Sequence, residues 1–483
     1  MYSLPVPAWS GGGIAAPAGE RVGTDRMSGT YDELPRGTPL VTVHGRRQGH
    51  VENLLGAGGQ GAVYSVAIEG TRFALKWYHD DIASIDRTLR ARLSRAIGIG
   101  PPTDRFLWPI DLVEIAGSNS FGYVMPLRDG DYHGMRDLIA RPPKRIELSL
   151  SKRVMVCLRI AQNFLELHAR GFCYQDINFG NIFFHAQTGD ILICDNDNVD
   201  IDGMDAAVFG TRKFMAPEVV RRETLPSTKT DLFSMAVLFF YIIHSWHPLD
   251  GRRENEVQIM DSSAETSLYG RNPVFIFDPN DQSNGPVPGV HDAIVARWNS
   301  LTPAIRSLFT RSFTVGLRQP GERVLEPEWR TNFARMVDGC VTCQHCGYDQ
   351  APRQGVKGQT LMPTVCVACG RPMMLPPVLL IGRDTITLAP GMGVAIHHVD
   401  PDRPVDFGTM AGVVEEHPTS KNVWGLRNLT RNAWKVTLAD GSSVTVDPGR
   451  AVRIMDETSV DFGRRTGRFV TGDTSVAMRE RTQ

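Results

Sequence analysis

Gly56-Ala57-Gly58-Gly59-Gln60-Gly61-Ala62-Val63 puts four glycines ahead of a valine, and Ala74-Leu75-Lys76 ends an apolar run on a lysine. Farther along come Asp176-Ile177-Asn178-Phe179-Gly180-Asn181, Asp195 and Ala216-Pro217-Glu218. Glycines lack the Cβ that keeps backbone N–H groups away from an anion. A lysine is a mobile point charge, aspartate and asparagine oxygens are hard donors for Mg2+, and a carboxylate can take a proton from a hydroxyl. Together these groups suit the neutralisation and alignment of a phosphate. A glycine cluster alone marks only a turn; it is the order of all five segments that carries the information. A second set of residues belongs to metal chemistry. Cys343-Gln344-His345-Cys346-Gly347 and Cys366-Val367-Ala368-Cys369-Gly370 form two CxxC pairs separated by 19 residues. Each pair ends in Cys-Gly, where glycine frees the turn so that both thiolates face one ion.

In series, the five segments resemble the signature set of protein kinases. That resemblance covers roughly residues 39–335 and implies a role for each matching position. Gly56, Gly58, Gly59 and Gly61 would cover the phosphates of ATP, with Val63, Ala74, Met125 and Leu127 around the base. Lys76 would hold the α/β-phosphates, Asn181 and Asp195 would bind Mg2+ (or Mn2+), and Asp176 would orient the acceptor hydroxyl and take its proton. Thr230-Asp231-Leu232-Phe233-Ser234 is similar to the start of the family's buried helix, whose aspartate ties it to the catalytic loop. His247-Pro248-Leu249-Asp250-Gly251 resembles the turn that closes that helix, and Arg323 is the expected partner of Glu218.

Several positions depart from the family pattern. Tyr174-Gln175-Asp176 lacks the usual arginine, and Thr211 is the only hydroxyl residue between Asp195 and Glu218. Switching by activation-loop phosphorylation is therefore not expected. Asn178 stands where a catalytic lysine is usual, and Asp195-Asn196-Asp197 replaces DFG. Asp197 is read as a solvated residue in preference to a member of the metal shell. The family's helix glutamate, which should pair with Lys76, is missing: no Glu occurs between Trp77 and Ile110, and Asp86 is the best-placed substitute. The competing reading is a nucleotide-binding pseudokinase acting as a scaffold, which would tolerate loss of Asp176.

The elements that position these residues can also be read. A chain of 483 residues, 42 % hydrophobic and 22 % charged, calls for several soluble domains. The expected fold is α+β: a bilobal kinase fold, then a zinc ribbon and a small all-β domain. Residues 1–38 read as a flexible leader and 39–338 as the kinase unit, with a small lobe over 39–125 and a large lobe over 128–338. Residues 340–373 read as the ribbon, and 376–475 as a β-rich unit of short alternating runs. A helix is expected over Ile82–Ile97 and another over Ser151–Ala169. Structural Zn2+ on Cys343, Cys346, Cys366 and Cys369 fits a closed four-sulfur site, with Cys340 and His345 as bystanders.

Net charge is −1, so nucleic acid is not an expected partner, and cations around the ribbon are sparse. The longest apolar run, Leu232–Ile243, is too short for a bilayer. Without a signal-peptide-like start, and with cysteines spaced for metal, the expected location is cytoplasmic.

Gly382-Arg383 and the stretch Gly425–Gly463 faintly resemble a forkhead-associated domain, but its Ser-x-x-His motif is not evident. A docking or packing role is the plainer reading. The whole arrangement, with Phe106-Leu107-Trp108-Pro109 and Gln175–Asn181, resembles bacterial kinases of the tellurium-resistance-associated type. That resemblance implies a von Willebrand A-type protein as substrate and a PP2C-type phosphatase as antagonist.

Overall fold

The computed structural model describes residues 33–202, 210–354 and 360–471. Residues 1–32, which hold most of the expected leader, and 203–209, within the segment expected to lack a phosphoacceptor, lie outside the described residues.

Alternation of apolar and polar side chains builds the first lobe. Strands β1 (Pro39–Thr42), β2 (Gln48–Ala57), β3 (Gly61–Ile68), β4 (Thr71–Tyr78), β5 (Asp111–Glu114) and β6 (Gly122–Pro126) form an antiparallel barrel ordered β1-β2-β3-β4-β6-β5. It closes through the β1–β5 pair, Val41 opposite Glu114. Successive residues of a strand point to opposite faces. In β4, Phe73, Leu75 and Trp77 therefore join the barrel interior with Tyr64, Val66 and Val124. Ala74 and Tyr78 take the other face, in a cluster with Leu89, Leu93, Tyr123 and Met125. Lys76, between them, shares that second face.

The single helix expected over Ile82–Ile97 is two helices, α1 (Asp80–Ile85) and α2 (Leu89–Ile99). Asp86 interrupts them. Its Oδ1 accepts from the backbone N (3.0 Å) and hydroxyl (2.7 Å) of Thr88, a local turn that competes with helical hydrogen bonding.

The second lobe is helical. Helix α3 (Leu150–Ala169) starts at the Ser149 cap and buries Val154, Leu158 and Ala161. The helix Thr228–His244 opens with a Ser227/Thr230 capping box and is buried nearly all round, so it forms the lobe's spine. Phe239 and Phe240 meet Trp329, Phe333, Phe309 and Phe313 there as edge-on aromatic pairs.

Beyond the helix Glu326–Gly339, short strands Val341–Thr342 and Asp349–Gln350 pair beside the four cysteines. The Asp349 carboxylate accepts from the Ser151 backbone N (3.2 Å) and so seats this segment on the start of α3. The last described hundred residues form a six-stranded and a four-stranded antiparallel sheet around one core, with Leu379, Ile386, Leu426, Trp434 and Phe469 inside. Val405 and Phe407 reach back to pack against the helical lobe's core, and His398 Nε2 meets Asp338 at 3.0 Å.

Candidate active site

Lys76 emerges from β4 into a buried polar pocket. Its Nζ contacts Asp195 Oδ1, Asp197 Oδ2 at 2.7 Å and Gln60 Oε1 of the glycine loop at 3.1 Å. Tyr78, two residues on and thus on the same strand face, donates to Asp197 Oδ2 at 2.5 Å. Burial alone would favour neutral Lys76, but the Coulombic pull of Asp197 and then Asp195 outweighs it and holds the ammonium charged. Burial and the neighbouring Asp197 push Asp195 upward. Burial acts upward on Asp197 too, but contact with Lys76 and Tyr78 wins and lowers it.

Two expectations are corrected here. Asp197 is not solvated: its side chain is 1 % exposed, because Lys76 and Tyr78 supply the partners that a buried carboxylate requires. Asp86 does not replace the missing glutamate. Its Oδ2 pairs with Arg92 at 2.9 Å, and its Oδ1 is occupied by Thr88. Asn196, in the place of the family's Phe, also has work that sequence reasoning did not assign. Its Nδ2 donates to Leu107 O (2.9 Å) and Ile193 O (3.1 Å), anchoring the turn that carries Asp195 and Asp197 to Phe106–Pro109. Trp108 Nε1 carries that anchor to the Ala96 carbonyl of α2 at 2.8 Å.

The glycines divide into two groups. A Cβ at Gly56, Gly58 or Gly59 would meet nothing within 4 Å, so these positions border open space. At Gly61 a Cβ would lie 2.1 Å from the Trp77 carbonyl oxygen, so that glycine is demanded by the close approach of β4. Val63, Ala74 and Met125 share an apolar cluster with Leu192 and Cys194 at the joint between the lobes. Leu127, just past β6, is 38 % exposed on the connector.

The loop Tyr174–Asn181 hangs from the buried helix. Asp231 accepts from the backbone N of Tyr174 (2.6 Å) and of Gln175 (3.0 Å), and Gln175 takes a left-handed φ of 73°. His168 bridges Asp231 (3.1 Å) and Glu326 beneath it. Burial works against its protonation, but hydrogen bonds to the two carboxylates outweigh that and raise its pKa to about 9. Asp176 Oδ1 accepts from the backbone N (2.9 Å) and hydroxyl (3.1 Å) of Thr211, while Asn181 Nδ2 donates to the Asp176 carbonyl (2.9 Å). Asn178 bonds within its own loop, to Asp176 O at 3.2 Å and from Gly180 N at 2.7 Å. It props the loop and leaves no cation at the family's lysine position. Phe179 stacks edge-on against Phe214 and Tyr241, fixing the loop to the segment that carries Glu218. Glu218 and Arg323 form the expected pair, at 2.8 Å and buried.

The donor chemistry fits a divalent cation with a polyphosphate. Asp195 and Asp197 carry two negative charges against the one of Lys76, and Asp197 Oδ1 is buried without a hydrogen-bond partner. Asn181, with its Nδ2 engaged, keeps Oδ1 as an acceptor.

The four cysteines fit zinc in the same sense. Their sulfurs lie within 4.8 Å of one another, with 3.9 Å from Cys343 to Cys369 and 3.6 Å from Cys346 to Cys366. Tetrahedral zinc with Zn–S of about 2.3 Å sets sulfurs about 3.8 Å apart. Gly347 and Gly370 sit at φ 72° and 69°, the left-handed turns that both Cys-Gly pairs need. Cys340 and His345 stand outside the cluster.

Comparison with known proteins points the same way. Residues 50–283 match the family model described as the protein kinase domain. A serine/threonine-protein kinase-like protein of Arabidopsis thaliana is 27 % identical over 219 residues, which is 42 % of this chain and 57 % of that protein. CBL-interacting protein kinase 4 of Oryza sativa subsp. japonica is 29 % identical over 160 residues, 30 % of this chain and 34 % of its own length. Serine/threonine-protein kinase sck2 of Schizosaccharomyces pombe is 31 % identical over 86 residues, 17 % and 13 % of the two chains. The chain thus spans less than two thirds of each of these relatives. Among the described residues, no helix is long and apolar enough to cross a membrane.

Proposed function

We propose that this chain, which carries a protein kinase domain of the serine/threonine type, is a Mg-ATP-dependent kinase acting on Ser or Thr of a partner protein. The observation that carries the reading is the seating of Asp176. Thr211 orients its Oδ1 from the peptide-platform side, and Asn181 holds its backbone from the metal side. Asp176 is then placed to align an acceptor hydroxyl and receive its proton. Bound Mg-ATP supplies the phosphoryl group and the cation that neutralises its charge. Lys76 and the glycine loop hold the phosphates, and Asn181 and Asp195 hold the metal. Val63, Ala74, Met125 and Leu127 flank the base.

Control by activation-loop phosphorylation is not part of this reading. Gln175 replaces the receiving arginine. A phosphate on Thr211, whose hydroxyl lies 3.1 Å from Asp176, would also set like charges together and remove that hydrogen bond. Structural zinc would close the four-cysteine site, and the following sheets would dock the substrate. That substrate is a von Willebrand A-type protein, with a PP2C-type phosphatase reversing the modification, in the manner of the tellurium-resistance-associated kinases. A cytoplasmic location suits reduced zinc-bound thiols.

The test is transfer from radiolabelled Mg-ATP to the protein itself, to a generic acceptor and to the A-domain partner, followed by phosphoamino-acid analysis. Label on Ser or Thr that disappears with Asp176→Ala supports the kinase. Equal label in the variant, or ATP binding with no transfer to any acceptor, favours the scaffold.

A further inference from the structure

Lys76 needs a fixed carboxylate if it is to hold phosphates in one place, and the helix that should supply one has none. No Glu occurs between Trp77 and Ile110, and Asp86 is spent on Arg92 and Thr88. The carboxylate that does meet Lys76 from a wholly buried position is Asp197. One oxygen, Oδ2, takes both Lys76 Nζ at 2.7 Å and the Tyr78 hydroxyl at 2.5 Å. Asp195 also touches Lys76 Nζ through Oδ1, but it is partly open to the cleft at 29 % side-chain exposure.

We propose that Asp197 is the positioning carboxylate of Lys76, locked by Tyr78, so that Asp195 is left for the metal. This rests on the kinase reading for its purpose, though not for its geometry.

The arrangement moves the lysine's partner from the helix segment to a tethered turn. Asp197 sits on the short turn Asn196–Asn198, which Asn196 pins to Leu107 and Ile193. Helix α2 lies against this turn and is tied to the same region by Arg95 to Asp200 at 3.0 Å and by Trp108 to the Ala96 carbonyl, yet it brings no carboxylate to Lys76. The same turn carries both the metal ligand and the lysine's partner, so cation binding and lysine alignment are set by one segment. Tyr78 is part of the device, because period-2 alternation puts it on the lysine's face of β4.

The test compares Asp197→Asn and Tyr78→Phe with Asp86→Asn in the full chain. Three readouts are taken: kcat and KM for ATP, the affinity of a non-hydrolysable ATP analogue as Mg2+ is varied, and thermal unfolding of the nucleotide-free protein. A misplaced phosphate-binding group costs on the order of 100-fold in turnover, so Asp197→Asn should lose about that in kcat. It should also need more Mg2+ for analogue binding, because Lys76 then rests on Asp195 alone. Tyr78→Phe should show a smaller loss in the same direction, and Asp86→Asn should stay within about twofold of the parent, as expected for a residue outside the site. In the nucleotide-free protein, Lys76→Met should lower Tm, and adding Asp197→Asn should restore part of it, since the stranded carboxylate is gone. Asp197→Asn that leaves both turnover and Mg2+ dependence unchanged overturns the proposal while the kinase reading stands. If the parent transfers no phosphate, the kinase reading fails and the unfolding cycle still decides: additive Lys76 and Asp197 effects overturn the pairing, and rescue upholds it.

Discussion

Replacing His168 with Gln should remove a pH-dependent clamp from beneath the Tyr174–Asn181 loop. The imidazole lies between Asp231 and Glu326, and Asp231 in turn holds the Tyr174 and Gln175 amides. Its pKa in the fold is about 9, against about 6.5 for a free histidine. A difference of about 2.5 at 1.36 kcal/mol each gives about 3 kcal/mol. Because the folded value is the higher one, that stability is fully present below about pH 6.5 and is lost as pH rises through about 9. For a lobe of this size it corresponds to about 6–12 °C in Tm. The assay is thermal unfolding from pH 6 to 10 for the parent and His168→Gln. The four thiols of Cys157, Cys173, Cys194 and Cys340, all raised chiefly by burial, add a decline at high pH to both proteins. That decline cancels in the difference. The expected gap is largest near pH 6 and closes towards pH 10. A gap of constant size across that range would refute the clamp.

Three further outcomes follow from particular contacts. Arg323→Met strands the buried Glu218 carboxylate and removes donors to Gly316 O and Lys229 O. It should destabilise by about 3–5 kcal/mol in denaturant unfolding, and Glu218→Gln in the same chain should recover part of that. Gly61→Ala drives a Cβ against the Trp77 carbonyl and should cost about 1–3 kcal/mol of stability. Gly59→Ala, which meets nothing, should leave Tm unchanged and lower only ATP affinity. Metal analysis should find one zinc per chain, lost with Cys366→Ser, whereas full retention of zinc by that variant would remove the four-cysteine site.

Sequence alone exposed those parts of the site that are fixed by short spacing. The glycine loop, Lys76, the Asp176–Asn181 loop and Asp195 could be named because each is a local run with its own chemistry. The Glu218–Arg323 pair could be anticipated only through the family resemblance. What stayed hidden depended on distant partners. Asp197 is polar and short, and nothing beside it in the chain shows that Lys76 and Tyr78 will bury it. A signal did exist: Lys76 and Tyr78 are two apart in a strand, and so had to share a face. The break at Asp86–Thr88 was also readable, since Asp followed two residues later by Thr favours a capped turn over a continuous helix. Asn178 gave no such signal. Its loss of the lysine charge is plain, but its new role inside the loop depends on the loop's own backbone.

The central claim is that Asp176 serves the chemical step and not nucleotide binding. The most direct measurement preloads the parent and Asp176→Asn with radiolabelled Mg-ATP and follows a single turnover onto a phosphorylatable protein. Equal nucleotide binding, with transfer slowed at least 100-fold in the variant, is the predicted result. Transfer at the parent rate by Asp176→Asn would contradict it.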